Sequence, residues 1–304
     1  MNPELSIIIC SHNPRVDYLT RVLDALKAQT LPMEQWELLL IDNASADPIA
    51  PRFDLAWHPN ARHVREDELG LTPARLRGIK EAVGEVLVFV DDDNVLGNNY
   101  LFKAMQIASS HQNLGAWGAG AIDPEFEVDP ESWAMPYVGR LALRHNVKDY
   151  WSNNIDDWLA TPVGAGLCVR ASVAALYSKE LEADSERRSF DRKGELLNGG
   201  GDLDLVFTGR KIGIGWGCFC ELRIQHLIPK SRLTKEYLLR ATSGSAESNV
   251  TLARRTGRMM PRPLSKLRLL IQSVYAFRAN GFTGIEFLYA SEKGIKKSLD
   301  HLKK

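Results

Sequence analysis

Residues Gly84–Gly97 read GEVLVFVDDDNVLG. A run of aliphatic and β-branched residues stops abruptly in Asp91, Asp92, Asp93 and Asn94. The apolar part predicts a strand buried on both faces. Three adjacent carboxylates repel one another unless a cation or hydrogen-bond donors compensate. Oxygen ligands of this type suit Mg2+ or Mn2+, which commonly bridge one or two carboxylates to phosphate oxygens. The competing reading is an Asp-rich turn that caps a helix beginning near Asn98.

The flanking sequence repeats the pattern. LSIIIC (Leu5–Cys10) and WELLLID (Trp36–Asp42) are further apolar runs. Between and after them, Val16, Leu19, Leu23 and Leu26 recur at helical spacing. LTPARLRGIKEAVG predicts a second helix, with Thr72 as N-cap, Pro73 at the first helical position and Gly84 near its end. Apolar strands that alternate with helices imply an α/β fold with a mostly parallel sheet covered on both faces. Ligands of such sheets bind beyond the carboxyl ends of the strands. Here those ends are Ser11-His12-Asn13, Asp42-Asn43-Ala44-Ser45 and the aspartate run, and they point to one site.

The chain has 304 residues, 44% hydrophobic and 25% charged, enough for a large core. No stretch reaches the roughly 18 apolar residues of a membrane span. The N-terminal residues lack a basic region followed by an apolar core, so a cytoplasmic location is expected. Cys10, Cys168, Cys218 and Cys220 form no CxxC pair and are expected to be reduced, mostly buried thiols. Net charge is zero but unevenly spread. Residues 205–304 hold 19 Lys and Arg against 6 Asp and Glu, and residues 1–204 hold 19 against 32. This asymmetry implies either an anionic partner for the basic region or a basic tail packed on an acidic body. The positive charge is not joined to a nucleic-acid-binding motif, so no nucleic-acid partner is expected.

Residues 123–163 carry Trp133, Tyr137, Tyr150, Trp151 and Trp158 among polar residues without clear periodicity, as a long functional loop would. PVGAGLCVRAS predicts a strand after a glycine turn, and residues from Leu233 onward read as helical. LSKLRLLIQSVYAF is amphipathic, with Leu264, Leu267, Ile271 and Val274 on one stripe and Lys266 and Arg268 off it. That stripe either packs on protein or, with the basic excess, makes peripheral contact with the inner face of an anionic membrane.

Six segments in order resemble the family 2 glycosyltransferases, inverting enzymes of the GT-A fold, over roughly residues 4–228. SIIICSHNP matches the family's opening strand, which places Ser11 and Asn13 against the nucleotide. LLLIDNASAD places Asp42 where the family recognises the base. GLTPARLRGIKEAVGE carries Arg75 and Gly78 at the family's arginine and glycine. The aspartate run matches the DxD region, with Asp91 and Asp93 as the pair. GGGDLDLVFTGRKIGIGWG places Asp202 at the general base, and QHLIPKSRL matches a segment that contains a histidine. Leu76 stands where the family usually has Asn, and Gly201 where it usually has Glu.

The resemblance implies a GT-A type, Rossmann-like, mostly parallel sheet flanked by helices, with a helical C-terminal extension. It implies a catalytic domain over residues 1–228, in which residues 1–122 bind the nucleotide and residues 123–228 the acceptor, followed by a basic helical region over residues 229–304. It implies a nucleotide-sugar donor, most often a UDP sugar, and a glycan or lipid-linked acceptor. Asp93 would hold Mn2+ or Mg2+. Asp91 and Asp92 would accept from ribose hydroxyls or reach the ion through water, and Arg75 would pair with anionic oxygen. His226 is either a further metal ligand or diphosphate contact, or a hydrogen-bonded histidine at a strand end. Asp204 is the alternative base, but helical spacing sets it on a different face from Asp202. Aromatic rings of the loop region are candidates to stack on sugar faces. Lys230 and Arg232 either face substrate or are solvated. Two rivals remain. A sugar nucleotidyltransferase usually has a Gly-rich basic loop after its first strand, where this chain reads CSHNPRVDYL. A non-catalytic binding module would be separated from an enzyme by donor hydrolysis with Mn2+.

Overall fold

A computed structural model describes residues 3–188 and 199–302. The elements of the N-terminal region are β1 (Leu5–Ser11), α1 (Val16–Lys27), β2 (Trp36–Asn43), β3 (Ala61–Glu66), α2 (Leu71–Glu81) and β4 (Val86–Asp91). They are followed by β5 (Asn94–Leu96), α3 (Tyr100–Ser110), β6 (Leu114–Phe126), β7 (Arg144–His145), β8 (Tyr150–Ser152) and β9 (Leu167–Arg170). Then come α4 (Ala171–Glu182), α5 (Ser185–Arg188), α6 (Gly201–Thr208), β10 (Gly215–Ile228), α7 (Lys235–Thr256) and α8 (Lys266–His301).

One sheet runs in the order β3-β2-β1-β4-β9-β6-β10-β5, with β7 on β6 and β8 on β10. β3, β2, β1 and β4 are parallel neighbours. Beyond β4 the pairing changes, because β9 lies antiparallel to both β4 and β6, and β10 antiparallel to β5. The parallel half is the one whose strands read as continuous apolar runs, and β1, β2 and β4 are buried along almost their whole length. Ile7, Ile9, Leu38, Leu40, Val88 and Val90 join Leu19, Leu23 and Leu26 of α1 and Leu101 of α3 in one core. On the other face α2 comes so close to β1 that a Cβ at Gly78 would collide with Ile8. Among the described residues the cysteines do not pair with one another in a disulfide, and Cys168 and Cys218 are buried.

Helix α2 begins at Leu71 rather than after Thr72, and no side chain caps it. Gly70 precedes it at φ 146°, a conformation that glycine alone adopts freely. The Gly70 N–H donates to Asn43 Oδ1 at 2.9 Å, which ties the helix start to the end of β2. Thr72 is buried within the first turn.

Two compact units divide the described residues: 3–125, 142–188 and 201–227 form the first, and 126–141, 199–200 and 228–302 the second. In the second, Thr234 caps α7 by accepting from the Tyr237 N–H at 3.3 Å, and Gly257 ends it at φ 73°. α8 is two helices joined at a kink, where Asn280 and Gly281 leave helical geometry. Its second half packs on α7, and Tyr137 stacks on Phe287 with ring centroids 3.5 Å apart.

Candidate active site

Several candidate site residues of the first unit lie at the ends of adjacent strands. Ser11 ends β1, Asp42 precedes the last residue of β2, and Asp91 ends β4. The Ser11 hydroxyl donates to Asp92, joining the ends of β1 and β4. The loops after β1 and β2 are joined as well. The Asn13 N–H donates to Ser45 Oγ at 2.9 Å, and the Ala46 N–H donates to Asn13 Oδ1 at 2.9 Å. Asn13 sits at φ 48° and Ala44 at φ 51°, in the left-handed region, as tight turns at strand ends require.

Asp42 is buried, and burial alone would raise its pKa. Hydrogen bonds from Ser45, the Ile49 N–H and Arg65 outweigh that cost and hold the carboxyl below its ordinary value. Its two oxygens accept from the Ser45 N–H at 3.1 Å, the Ile49 N–H at 3.1 Å and Arg65 Nη1 at 2.8 Å. Asp42 is therefore ionised and fixed in orientation. Arg65 carries no motif signal, and sequence reasoning misses it. It reaches Asp42 because the two are direct partners in the β2–β3 register.

Asp93 and His226 are buried beside one another, with His226 Nε2 3.6 Å from Asp93 Oδ2. The short strand β5 makes this contact. It pairs with β10 so that Asn94 faces His226, and the Leu227 N–H donates to the Asp93 carbonyl at 2.8 Å. Asn94 Nδ2 donates to Asp93 Oδ1 at 2.9 Å, while its buried Oδ1 accepts no hydrogen bond among the described residues. A carboxylate, an imidazole nitrogen and an amide oxygen that lacks a donor fit a divalent cation. No group of three His, Cys, Asp or Glu side chains forms a full metal cage among the described residues. An ion here would complete its shell with substrate oxygens and water.

Arg75 on α2 is buried, with its guanidinium 6.0 Å above the Phe89 ring of β4. It converges with Asp202 on Gly164. A Cβ at Gly164 would stand 2.9 Å from Arg75 Nη2 and 3.3 Å from Asp202 Oδ2. Asp202 lies in the first turn of α6 and accepts from the Gly164 N–H at 2.8 Å and the Leu203 N–H at 2.9 Å. Asp204, two residues on, is buried against Arg187. Burial lowers the Arg187 pKa, and the hydrogen bonds that Arg187 donates to Asp204 and Glu180, with the attraction of those charges, more than reverse the effect. Of the loop aromatics, Trp151 and Trp158 are exposed.

Residues 6–147 match the family model for Glycosyl transferase family 2. This stretch is similar to the domain of the family 2 glycosyltransferases. It contains Ser11, Asn13, Asp42, Arg75 and the aspartate run, whereas Asp202 and His226 lie beyond it. The glycosyltransferase AglE of Haloferax volcanii is 32% identical over 94 residues, which is 30% of this chain and 31% of that protein. The poly(ribitol-phosphate) β-N-acetylglucosaminyltransferase TarS of Staphylococcus aureus is 24% identical over 113 residues, 36% of this chain and 20% of that protein. The chain spans at most 32% of the length of the first curated relatives that it matches. A mannosyltransferase of Pyrobaculum calidifontis, solved with GDP-Man and Mn2+, shares the fold. Its TM-score is 0.57 at 15% identity, over 100% of this chain and 76% of that one.

Proposed function

We propose that this chain is an inverting glycosyltransferase, moving a sugar from a nucleoside diphosphate to a hydroxyl of a glycan or lipid-linked acceptor. The observation that carries the reading is the set of carboxylates at the carboxyl ends of β2 and β4, joined to Ser11 at the end of β1, with His226 brought to Asp93 by β10. It is supported by the similarity to the family 2 domain and by the fold shared with the mannosyltransferase. The proposed donor is a UDP sugar. GDP-mannose is the alternative to test, because it is bound by that structural neighbour.

In this reading Asp42 accepts from a base N–H. Its bonds to Ser45, Ile49 and Arg65 keep it charged and aimed. Asp91 and Asp92 accept from ribose hydroxyls. Asp93 and His226 would hold Mn2+ or Mg2+, which neutralises a diphosphate leaving group. Arg75 pairs with anionic oxygen of the donor. Asp202 takes the acceptor proton. The acceptor oxygen forms the new bond to the anomeric carbon as the bond to diphosphate oxygen breaks, and the diphosphate keeps that electron pair. A cytoplasmic site of action belongs to the same reading.

The test is a thermal-shift panel of UDP sugars and GDP-mannose with and without Mn2+, followed by donor hydrolysis. A donor raises the Tm by mass action, more so with metal present. Stabilisation without hydrolysis or transfer would make the chain a binding module. Failure of every nucleotide sugar to stabilise it would reject the reading.

A further inference from the structure

The first half of α8 turns its apolar side chains to solvent. Leu269, Ser273 and Ala276 are the half-buried residues, and their spacing marks one inward face. Away from that face lie Leu267 (69% exposed), Leu270 (64%), Ile271 (44%), Val274 (48%) and Phe277 (45%). Lys266 and Arg268 border this stripe, and Arg278 follows it; all three are exposed. The stripe continues across the kink, where Phe277 meets Phe282 edge-on at 5.1 Å and Phe282 is 76% exposed. Contiguous exposed apolar surface of this kind marks an interaction site.

Charge identifies the partner. From residue 248 to residue 285 the chain carries seven Lys and Arg and no Asp or Glu. A second copy docked by two-fold symmetry would set the same cations against each other. An anionic bilayer answers both features. The apolar stripe enters the boundary between headgroups and acyl chains, and the bordering cations meet the headgroups. We propose that this face of α8 lies in the plane of an anionic lipid surface. Among the described residues, no helix is long and apolar enough to cross a membrane, so the proposed contact lies along the surface. The contact is independent of the transfer chemistry.

Vesicle sedimentation of the whole chain tests it, using phosphatidylcholine alone and an equal mixture of phosphatidylcholine and phosphatidylglycerol. The protein pellets with the anionic vesicles and not with the neutral ones, and high salt releases it. I271D combined with V274D lowers pelleting at least about tenfold, since a charge on the apolar stripe opposes insertion. K266Q combined with R268Q lowers it by about fivefold per charge removed. Both variants keep the Tm and nucleotide affinity of the parent, because the four side chains are exposed. Absence of pelleting, equal pelleting with neutral vesicles, or pelleting untouched by I271D/V274D would overturn the proposal. So would a dimer in analytical ultracentrifugation that I271D/V274D dissociates, since it would assign the face to a second copy.

Discussion

Arg187 Nε and Asp204 Oδ2 form a 2.5 Å ion pair with both side chains buried. Asp202, in the same turn of α6, accepts instead from two backbone amides, Gly164 and Leu203. Two acidic residues separated by a single leucine thus have different surroundings, and this separates a structural carboxylate from a candidate base. D202N keeps the shape and removes the proton acceptor. Turnover falls by a factor on the order of 10²–10⁴ with donor affinity little changed. D204N leaves a buried cation with one partner fewer and lowers stability by about 2 kcal/mol in urea denaturation. Comparable turnover in D202N and the parent would remove Asp202 from its proposed role.

The Asp93–His226 pair makes a prediction about metal. D93A abolishes the Mn2+-dependent component of nucleoside diphosphate binding in calorimetry, and H226Q weakens it to a lesser degree. Metal-independent binding survives in both, because Asp42 and its partners lie at the end of a different strand. If D93A binds nucleotide with parental affinity in Mn2+, Asp93 does not hold the ion.

Gly164 gives a steric test of the convergence between Arg75 and Asp202. A methyl group there needs both side chains to move, since Arg75 Nη2 would stand at 2.9 Å and Asp202 Oδ2 at 3.3 Å. G164A lowers kcat by about 10²-fold, the scale of a misplaced catalytic group. Donor affinity falls with it if Arg75 contacts the donor. Full activity in G164A would mean that neither side chain is needed in its present position.

A pH dependence follows from His58, which is buried against Trp36 with ring centroids 4.0 Å apart. Burial lowers its pKa from 6.5 to about 4, and Nδ1 accepts from the Asn60 N–H at 3.1 Å. The unfolded chain binds this proton more readily than the folded one. The resulting stability is fully present above pH about 6.5 and is lost as pH falls towards about 4, by up to about 3 kcal/mol. H58F keeps a ring on Trp36 and flattens that slope. Urea midpoints that fall equally in parent and variant between pH 7 and pH 5 would clear His58 of the effect.

The strands β1, β2 and β4, the helix face of α1 and the polar residues at each strand end were legible in the sequence. Each rests on a local period or an abrupt change of residue type, and both are properties of neighbouring residues. The family resemblance also drew Asp42, Arg75, the aspartate run, Asp202 and His226 into one list. What tertiary structure alone decided are the pairings over long separations. Arg65 meets Asp42 through the β2–β3 register, and His226 faces Asn94 through β5 and β10. Arg187 claims Asp204 from another helix. The kink at Gly281 and the exposure of the α8 stripe likewise belong to packing, since the same amphipathic pattern serves a buried face or an interfacial one. Register and burial are set by which surfaces meet after the chain closes, and no periodicity of 2 or 3.6 residues encodes that choice.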